Sequence, residues 1–193
     1  MTLVSRETER KLALFQALVT AENRVQNLVS PASLAEFESR HVDDALQLAA
    51  LGKPGSWCDV GSGAGLPGIV IAIVTGAPMT LIEPRKLRAD FLRRAVAELG
   101  LDAEVAEMKA ERVPAHFDNI TARAVAELPK LFAITEHLAQ RGTRWILPKG
   151  RNAKKELEAA QMSWQGEFTL VPSRTSDEAT IIVAEGVRRR GKR

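Results

Sequence analysis

The sequence predicts an α/β fold in which a doubly wound, mixed β-sheet is preceded by two N-terminal helices. From residue 56 onward, short apolar segments typical of buried strands alternate with segments of helical length, which is the spacing of β-α-β units in a mainly parallel sheet. A glycine-rich turn over residues 61–68 follows the first strand, where such sheets carry ligand-binding loops. The last two strands have no helix between them, so they predict a hairpin and one antiparallel strand.

The two N-terminal helices are predicted from periodicity and from helix-end signals. Apolar side chains recur with helical spacing over residues 6–22, and residues 27–31 break that pattern. Ser33, with Glu36 three residues later, has the sequence of a capping box. A second helix is therefore expected over residues 33–51, and the glycine- and proline-rich segment that follows ends it.

The remaining elements are expected in alternating order. The predicted buried side of the helix over residues 85–99 carries Leu87, Phe91, Ala95 and Leu99. Strands are expected at residues 56–61, 79–83, 103–108, 117–125, 144–147, 166–171 and 179–187, and the other helices at 69–74, 128–139 and 154–162.

Length and composition are typical of one domain without disulfides. The 193 residues fit a single domain, with residues 1–54 as a helical extension and residues 187–193 as a basic tail. The single cysteine, Cys58, excludes an intramolecular disulfide, and the three histidines are too scattered to predict a metal site. No secretory segment and no run near the ~20 apolar residues of a membrane span is present, so a cytoplasmic protein is expected.

The glycine-rich turn is the strongest functional signal, and it fits two classes of ligand. Gly63, Gly65 and Gly68 match the G-x-G-x-x-G pattern of dinucleotide-binding enzymes. Read from Asp59 to Gly65, with Gly61 as its first glycine, the same segment gives the acidic D-x-G-x-G-x-G pattern of S-adenosylmethionine enzymes. A carboxylate at the strand end opposes a pyrophosphate but suits the ammonium and sulfonium groups of S-adenosylmethionine, so Asp59 favours a methyltransferase.

Two further positions are expected to complete a nucleoside pocket. Glu83 ends the second strand, and a carboxylate there can accept hydrogen bonds from ribose hydroxyls in either class of enzyme. Ala110 and Glu111 follow the third strand at the same edge of the sheet, where their backbone can meet an adenine edge.

With these motifs in place, the chain resembles the glucose-inhibited division protein B family. Its members are bacterial methyltransferases that modify guanine N7 at position 527 of 16S rRNA. The resemblance implies a class I, Rossmann-like methyltransferase fold, S-adenosyl-L-methionine as cofactor, and 16S rRNA or the small ribosomal subunit as partner. The matching segments are residues 27–30, 40–44, 59–68, 117–118, 122–124 and 148–150.

The motifs and the resemblance together assign site residues. Substrate-positioning candidates are Arg40, His41, Asp44 and Lys149. The chain departs from the family pattern at Val29, Ala45, Pro148 and Glu178. Cofactor contacts are expected from Asp59, Gly61, Gly63, Gly65, Leu66, Glu83, Ala110, Glu111 and Arg123.

The implied reaction requires little acid–base chemistry. Guanine N7 has an in-plane lone pair and no proton, so methylation needs no general base. The enzyme mainly aligns two reactants, and proximity can contribute ~7–11 kcal/mol. This agrees with a sequence that has no evident nucleophile or acid–base pair.

Two basic clusters are candidates for RNA contacts. Lys149 and Arg151 belong to one cluster, and Arg188, Arg189 and Arg190 to the C-terminal tail. Phosphate contacts of this kind give affinity and salt sensitivity without sequence choice. A solvated helix face and a disordered, solubilising end are the alternatives.

Three other functions remain open at this point. An NAD-dependent oxidoreductase is favoured by the G-x-G-x-x-G match but opposed by Asp59 and by the closing hairpin. The others are a non-catalytic RNA-binding protein that retains the cofactor pocket, and a methyltransferase of the same fold with another substrate.

Overall fold

The computed structural model describes residues 5–191 and contains one seven-stranded sheet. Its strands are β1 (Trp57–Val60), β2 (Met79–Ile82), β3 (Ala103–Ala106), β4 (Phe117–Ala122), β5 (Ala139–Lys149), β6 (Trp164–Pro172) and β7 (Thr180–Arg189). They lie in the order β3-β2-β1-β4-β5-β7-β6. Strands β1 to β5 are parallel, and β7 is antiparallel to both of its neighbours. The predicted mixed sheet with one antiparallel strand is confirmed.

Helices cover both faces of this sheet. They are α1 (Arg6–Gln26), α2 (Pro31–Ala35), α3 (Asp43–Leu51), α4 (Gly68–Thr75), α5 (Lys86–Leu99), α6 (Leu128–Thr135) and α7 (Ala153–Gln161), with a π-helix at Glu38–Val42 and 3₁₀ turns at Ala110–Arg112 and Glu136–Leu138. The core on one face contains side chains from α1, α3, α4 and α5, and the core on the other contains side chains from α6 and α7. Within residues 5–191, no helix combines the length and apolar character needed to cross a membrane.

The second N-terminal helix was predicted only in part: it ends at Leu51 as expected, but its start and its continuity differ. The structure has α2, then the π-helix Glu38–Val42, then α3. Ser30 caps α2, because its Oγ accepts a hydrogen bond from the Ser33 N–H at 3.1 Å. Glu36 pairs with Arg40 instead of closing a capping box at Ser33. The Ser33 hydroxyl is thereby left for a contact within the candidate site.

The prediction of which residues form the buried side of α5 was also partly wrong. Phe91, Ala95 and Leu99 are buried as expected, but Leu87 is 69% exposed. Leu87 lies in the first turn of α5, where its carbonyl accepts a hydrogen bond from Gln26 Nε2 of α1 at 3.1 Å. The contact with α1 is therefore made by the backbone at this position, and the side chain remains outside the core.

Backbone pairing moves the start of β5 and the end of β7 away from the expected positions. The helix expected to reach residue 139 ends at Thr135, and Ala139 starts β5 by pairing with Phe117. β7 continues to Arg189, which lies opposite Trp164, so part of the expected basic tail is strand. Residues 192 and 193 of that tail lie outside the described residues.

The direction of β7 determines which residues can meet the glycine loop. We call the side where β1 to β5 end the carboxyl edge, and the opposite side the amino edge. Thr180 at the start of β7 pairs with Lys149 at the end of β5. The loop over residues 173–179 therefore lies at the carboxyl edge, whereas Arg188 and Arg189 at the end of β7 lie at the amino edge.

Candidate functional site

The glycine loop turns sharply at the carboxyl edge and is fixed by β2. The N–H groups of Gly61 and Ser62 donate to the Ile82 carbonyl at 2.8 and 3.1 Å. Gly65 has a φ of +83°, and a Cβ placed there would lie 2.5 Å from Ile69 Cδ1. Only glycine fits this position without displacing the start of α4. The loop therefore presents bare backbone, as a closely bound ligand requires.

Asp59 lies beneath this loop with an incomplete set of hydrogen bonds. Its side chain is 1% exposed, and Oδ2 accepts from the Gly68 N–H at 3.1 Å. Oδ1 is buried and has no hydrogen-bond partner in the described chain. Burial raises the pKa of Asp59 to about 7, opposed by the Gly68 hydrogen bond and by the charge of Arg123. A cationic partner that donates to Oδ1 would satisfy the unpaired oxygen of this carboxylate.

Glu83 holds the loop from its other side. Its Oε2 accepts from the Gly63 N–H at 3.0 Å, and Oε1 accepts from the Arg85 N–H at 2.9 Å. Each oxygen retains a further lone pair, so this buried carboxylate can both shape the loop and accept from a ligand hydroxyl. The structure thus gives Glu83 a loop-shaping contact that the sequence did not indicate.

Ala110 and Glu111 lie in the 3₁₀ turn after β3, at the carboxyl edge as expected. Ala110 is 6% exposed, whereas Glu111 is exposed. Leu66 is also buried, at 5% exposure, and directly precedes Pro67 at the entry to α4. Leu66 therefore belongs to the packing beneath the loop.

His41 and Arg123 meet at this edge although 82 residues separate them. Arg123 Nη1 lies 3.0 Å from His41 Nδ1, and His41 Nε2 lies 2.7 Å from Ser33 Oγ. A guanidinium has donors only, so Nδ1 must be unprotonated, and Nε2 carries the proton and donates to Ser33. Burial, followed by the Arg123 charge, lowers the pKa of His41 to about 4. His41 is thus a neutral acceptor that orients Arg123.

Arg123 itself lacks a close anionic partner. Burial lowers its pKa, whereas the more distant charges of Asp59 and Asp44 raise it. Within residues 5–191 its guanidinium forms no ion pair, and its side-chain hydrogen bond goes to the neutral His41. A half-buried cation without a carboxylate beside it is suited to binding an anionic ligand group.

Lys149 is less available for RNA than the sequence suggested. Its Nζ donates to the Ala126 carbonyl at 2.9 Å and to Glu156 Oε2 at 2.8 Å, and its side chain is only 10% exposed. Glu156 Oε2 also accepts from the Leu128 N–H at 3.0 Å. The Lys149–Glu156 pair therefore fixes the loop over residues 123–127, which follows Arg123.

Sequence reasoning missed the residue that this loop places against the glycines. A Cβ on Gly61 would lie 2.7 Å from Val125 Cγ2, so Val125 packs directly on the glycine loop. Ala124 beside it has a φ of +56°, which is unusual for a residue other than glycine. Neither Val125 nor Glu156 belongs to a recognisable motif. Their role depends on the contacts by which Lys149 of β5 and Glu156 of α7 hold the loop after β4.

The structure places the other two substrate-positioning candidates, Arg40 and Asp44, in different surroundings. Arg40 is exposed and pairs with Glu36 on the helical extension. Asp44 is half-buried and accepts from Thr175 Oγ1 of the β6–β7 loop, as well as weakly from Gln47 Nε2 at 3.3 Å. Asp44 therefore joins the helical extension to that loop.

Most of the expected RNA-binding arginines lie away from the glycine loop. Arg189 pairs with Glu136 at 3.2 Å and stacks on Trp164, and Arg190 Nε donates to the Trp164 carbonyl at 3.1 Å. Arg188 shares their position at the amino edge, because the antiparallel β7 reverses direction. Of the five RNA-binding candidates, only Lys149 and Arg151 lie at the carboxyl edge, and Arg151 Nε is 3.4 Å from a Glu178 oxygen.

Comparison with known proteins identifies relatives over almost the whole chain. The family described as rRNA small subunit methyltransferase G matches residues 8–178. Ribosomal RNA small subunit methyltransferase G of Sphingopyxis alaskensis is 43% identical over 97% of this chain and 84% of its own length. The protein of the same name from Paracoccus denitrificans is 39% identical over 96% of this chain and 98% of its own length.

Solved structures share the fold at low sequence identity. An S-adenosylmethionine-dependent methyltransferase from Aquifex aeolicus superposes with a TM-score of 0.62 at 15% identity, covering 84% of this chain and 96% of its own. The glycopeptide N-methyltransferase MtfA, solved with S-adenosylmethionine, gives a TM-score of 0.64 at 10% identity, covering 75% of this chain and 86% of its own. The class I methyltransferase fold predicted from the sequence is confirmed.

Replacement of His41 should change how stability depends on pH. Because the folded-state pKa is lowered, the stability that neutral His41 contributes is fully present above pH 6.5 and is lost as the pH falls toward 4. The difference in unfolding free energy between the wild type and His41→Gln should therefore fall over this window by about 3 kcal/mol at most. Urea unfolding at several pH values measures it, and a flat difference would contradict a neutral His41.

Replacement of Lys149 should weaken cofactor binding as well as RNA methylation. Lys149→Met leaves Glu156 without its cation and frees the Ala126 carbonyl, so the loop against Gly61 loosens. We expect roughly tenfold weaker S-adenosylmethionine binding by calorimetry, and a smaller loss in Glu156→Gln, which keeps a hydrogen-bond acceptor. Unchanged cofactor affinity with reduced methylation would instead make Lys149 a direct RNA contact.

Proposed function

The chain belongs to the rRNA small subunit methyltransferase G family, and from this premise we propose that it transfers the methyl group of S-adenosyl-L-methionine to N7 of a guanine in 16S rRNA. Position 527 is the target that the family resemblance implies. An rRNA substrate also supports action in the cytoplasm.

One observation carries the cofactor assignment: two opposite charges at the glycine loop are each left without a directly bonded counter-charge. Asp59 Oδ1 has no hydrogen-bond partner, and Arg123 donates to a neutral histidine. A ligand with an ammonium and a carboxylate at one end would satisfy both groups. S-adenosylmethionine has such an amino-acid end, whereas NAD offers only a pyrophosphate and neutral or cationic rings.

The remaining cofactor contacts follow the order of the strands. Glu83 at the end of β2 would accept from the ribose hydroxyls, and the turn with Ala110 and Glu111 after β3 would meet the adenine. Gly61, Gly63 and Gly65 allow the backbone to approach the ligand closely. When bound, S-adenosylmethionine supplies an electrophilic methyl group on a sulfonium centre.

The protein's own contribution to the reaction is positioning. Guanine N7 has no proton to lose, so neither His41 nor Asp59 has to act as a base. His41 instead orients Arg123, and the Lys149–Glu156 pair orients the loop that carries Val125. Any cation near the target base must bind O6 or phosphate and leave N7 free. The target guanine must be splayed out of its RNA fold to reach this edge.

The dinucleotide alternative is not favoured. Asp59 is buried under the segment that a pyrophosphate would approach, where its charge would repel a phosphate. The family match covers the same glycine segment that gave rise to this alternative.

Calorimetric titration with S-adenosylmethionine, S-adenosylhomocysteine and NAD in parallel tests the cofactor. The first two should bind and NAD should not. Methylation of small subunits that lack the modification, followed by mapping of N7-methylguanine, then tests the acceptor. Binding of NAD alone would refute the proposal, and a methylated base other than guanine would refute the acceptor.

Asp59→Asn should weaken S-adenosylmethionine binding and remove its pH dependence. The ammonium of the ligand favours ionised Asp59, whose folded-state pKa is about 7. Wild-type affinity should therefore rise as the pH increases, by about fivefold between pH 6 and pH 7, with proton release. Asp59→Asn keeps a similar shape and should show a flat profile. A wild-type profile in this variant would exclude Asp59 from cofactor binding.

A further inference from the structure

The loop between β6 and β7, residues 173–179, lies at the carboxyl edge and is tied to the helical extension. Thr180, directly after it, pairs with Lys149 at the end of β5. Thr175 Oγ1 donates to Asp44 of α3, and Asp44 is one of the charges that act on Arg123. The loop therefore borders the same site as the glycine loop, although none of its residues has a role in cofactor binding.

Gln47 of α3 fixes the backbone of this loop. Its side chain is buried, at 9% exposure, and its amide hydrogen bonds reach the loop at three points. Oε1 accepts from the Arg174 N–H at 3.0 Å, and Nε2 donates to Ser173 Oγ at 3.1 Å and to Thr175 Oγ1 at 3.3 Å. Because leaving a buried amide unsatisfied is costly, these contacts anchor the backbone of Arg174 and the hydroxyls on both sides of it.

Arg174 is held in place at the backbone, but its side chain is exposed. Within residues 5–191 its guanidinium takes part in no ion pair, and the hydrogen bond made by Arg174 is that of its backbone N–H. The neighbouring charges do not neutralise it closely: Glu178 pairs with Arg151, and Asp44 accepts from Thr175. Asp177 is the acidic side chain of this loop without such a partner. The result is an available cation on an anchored backbone beside the site.

We propose that Arg174 is an RNA contact that binds a backbone phosphate next to the target guanine. A guanidinium matches a phosphate with two parallel hydrogen bonds. The Gln47 contacts order the loop before RNA binds, so less conformational entropy is lost on binding. This inference rests on the proposed function, because it requires RNA at the carboxyl edge.

Arg188 provides a matched control for this proposal. It is also an exposed arginine, and removing it changes the net charge equally, but it lies at the amino edge in β7. Arg174→Ala should raise the KM for small subunits or 16S rRNA roughly tenfold and reduce the salt dependence of RNA binding by about one phosphate contact. Arg188→Ala should leave both close to the wild-type values.

Two further variants separate charge from loop position. Arg174→Lys keeps the charge but not the paired hydrogen bonds, so its salt dependence should stay near wild type while KM rises partway. Gln47→Leu removes the contacts without changing charge, and it should raise KM with kcat retained at saturating RNA. S-adenosylmethionine affinity, measured by calorimetry, should be unchanged in Arg174→Ala and Arg174→Lys.

The outcomes are distinguishable. A KM for Arg174→Ala equal to that of the wild type, or equal to that of Arg188→Ala, would overturn the assignment of Arg174. Loss of S-adenosylmethionine affinity in Arg174→Ala would also overturn it, because the residue would then act on the cofactor site. Failure of the wild type to methylate RNA would instead refute the proposed function, whatever the variants show.

Discussion

The buried carboxylate of Asp59 is the constraint on which the arrangement of the carboxyl edge depends. It stands on β1, almost fully shielded from water, and a single backbone N–H, from Gly68, satisfies one of its oxygens. A Cβ on Gly68 would lie 2.7 Å from Asp59 Cβ and 2.6 Å from Leu81 Cδ2. The start of α4 can therefore approach β1 only because residue 68 is glycine. The cost of burying this carboxylate is offset in part by Arg123.

Arg123 extends the same constraint to the helical extension. Its half-buried guanidinium has no carboxylate beside it, and the hydrogen bond to His41 restricts its position. His41 in turn is fixed by Ser33 and packs edge-on against Phe37, with ring centroids 5.3 Å apart. The helices before the sheet are thus part of the site, because they supply a neutral acceptor that the sheet itself does not provide.

Much of the fold was predictable because it depends on local patterns. Strand and helix alternation, the glycine loop and the final hairpin each follow from period, turn residues or length. The errors had two causes, a competing local signal and a distant contact. Ser30, rather than Ser33, caps α2. Leu87 remains exposed in spite of its helical spacing.

Within the site, strand-end residues were predictable and their partners were not. Asp59, Glu83 and Arg123 lie at the carboxyl ends of parallel strands, so their shared edge could be inferred from order alone. The contacts of His41, Glu156 and Gln47 join elements far apart in sequence, and a single sequence has no local signal for such pairs. The arginines near the chain end were misplaced for a related reason: a basic run does not indicate which end of the sheet it reaches.

The insertion of β7 between β5 and β6 has a practical consequence for working with this protein. The chain leaves β7 at the side of the sheet opposite the glycine loop, with Arg190 anchored to Ser163 and Trp164. A linker attached after Gly191 would therefore carry an affinity tag, a fluorophore or a solid support away from the reacting edge. A particle as bulky as a ribosomal subunit could then still dock on the immobilised enzyme.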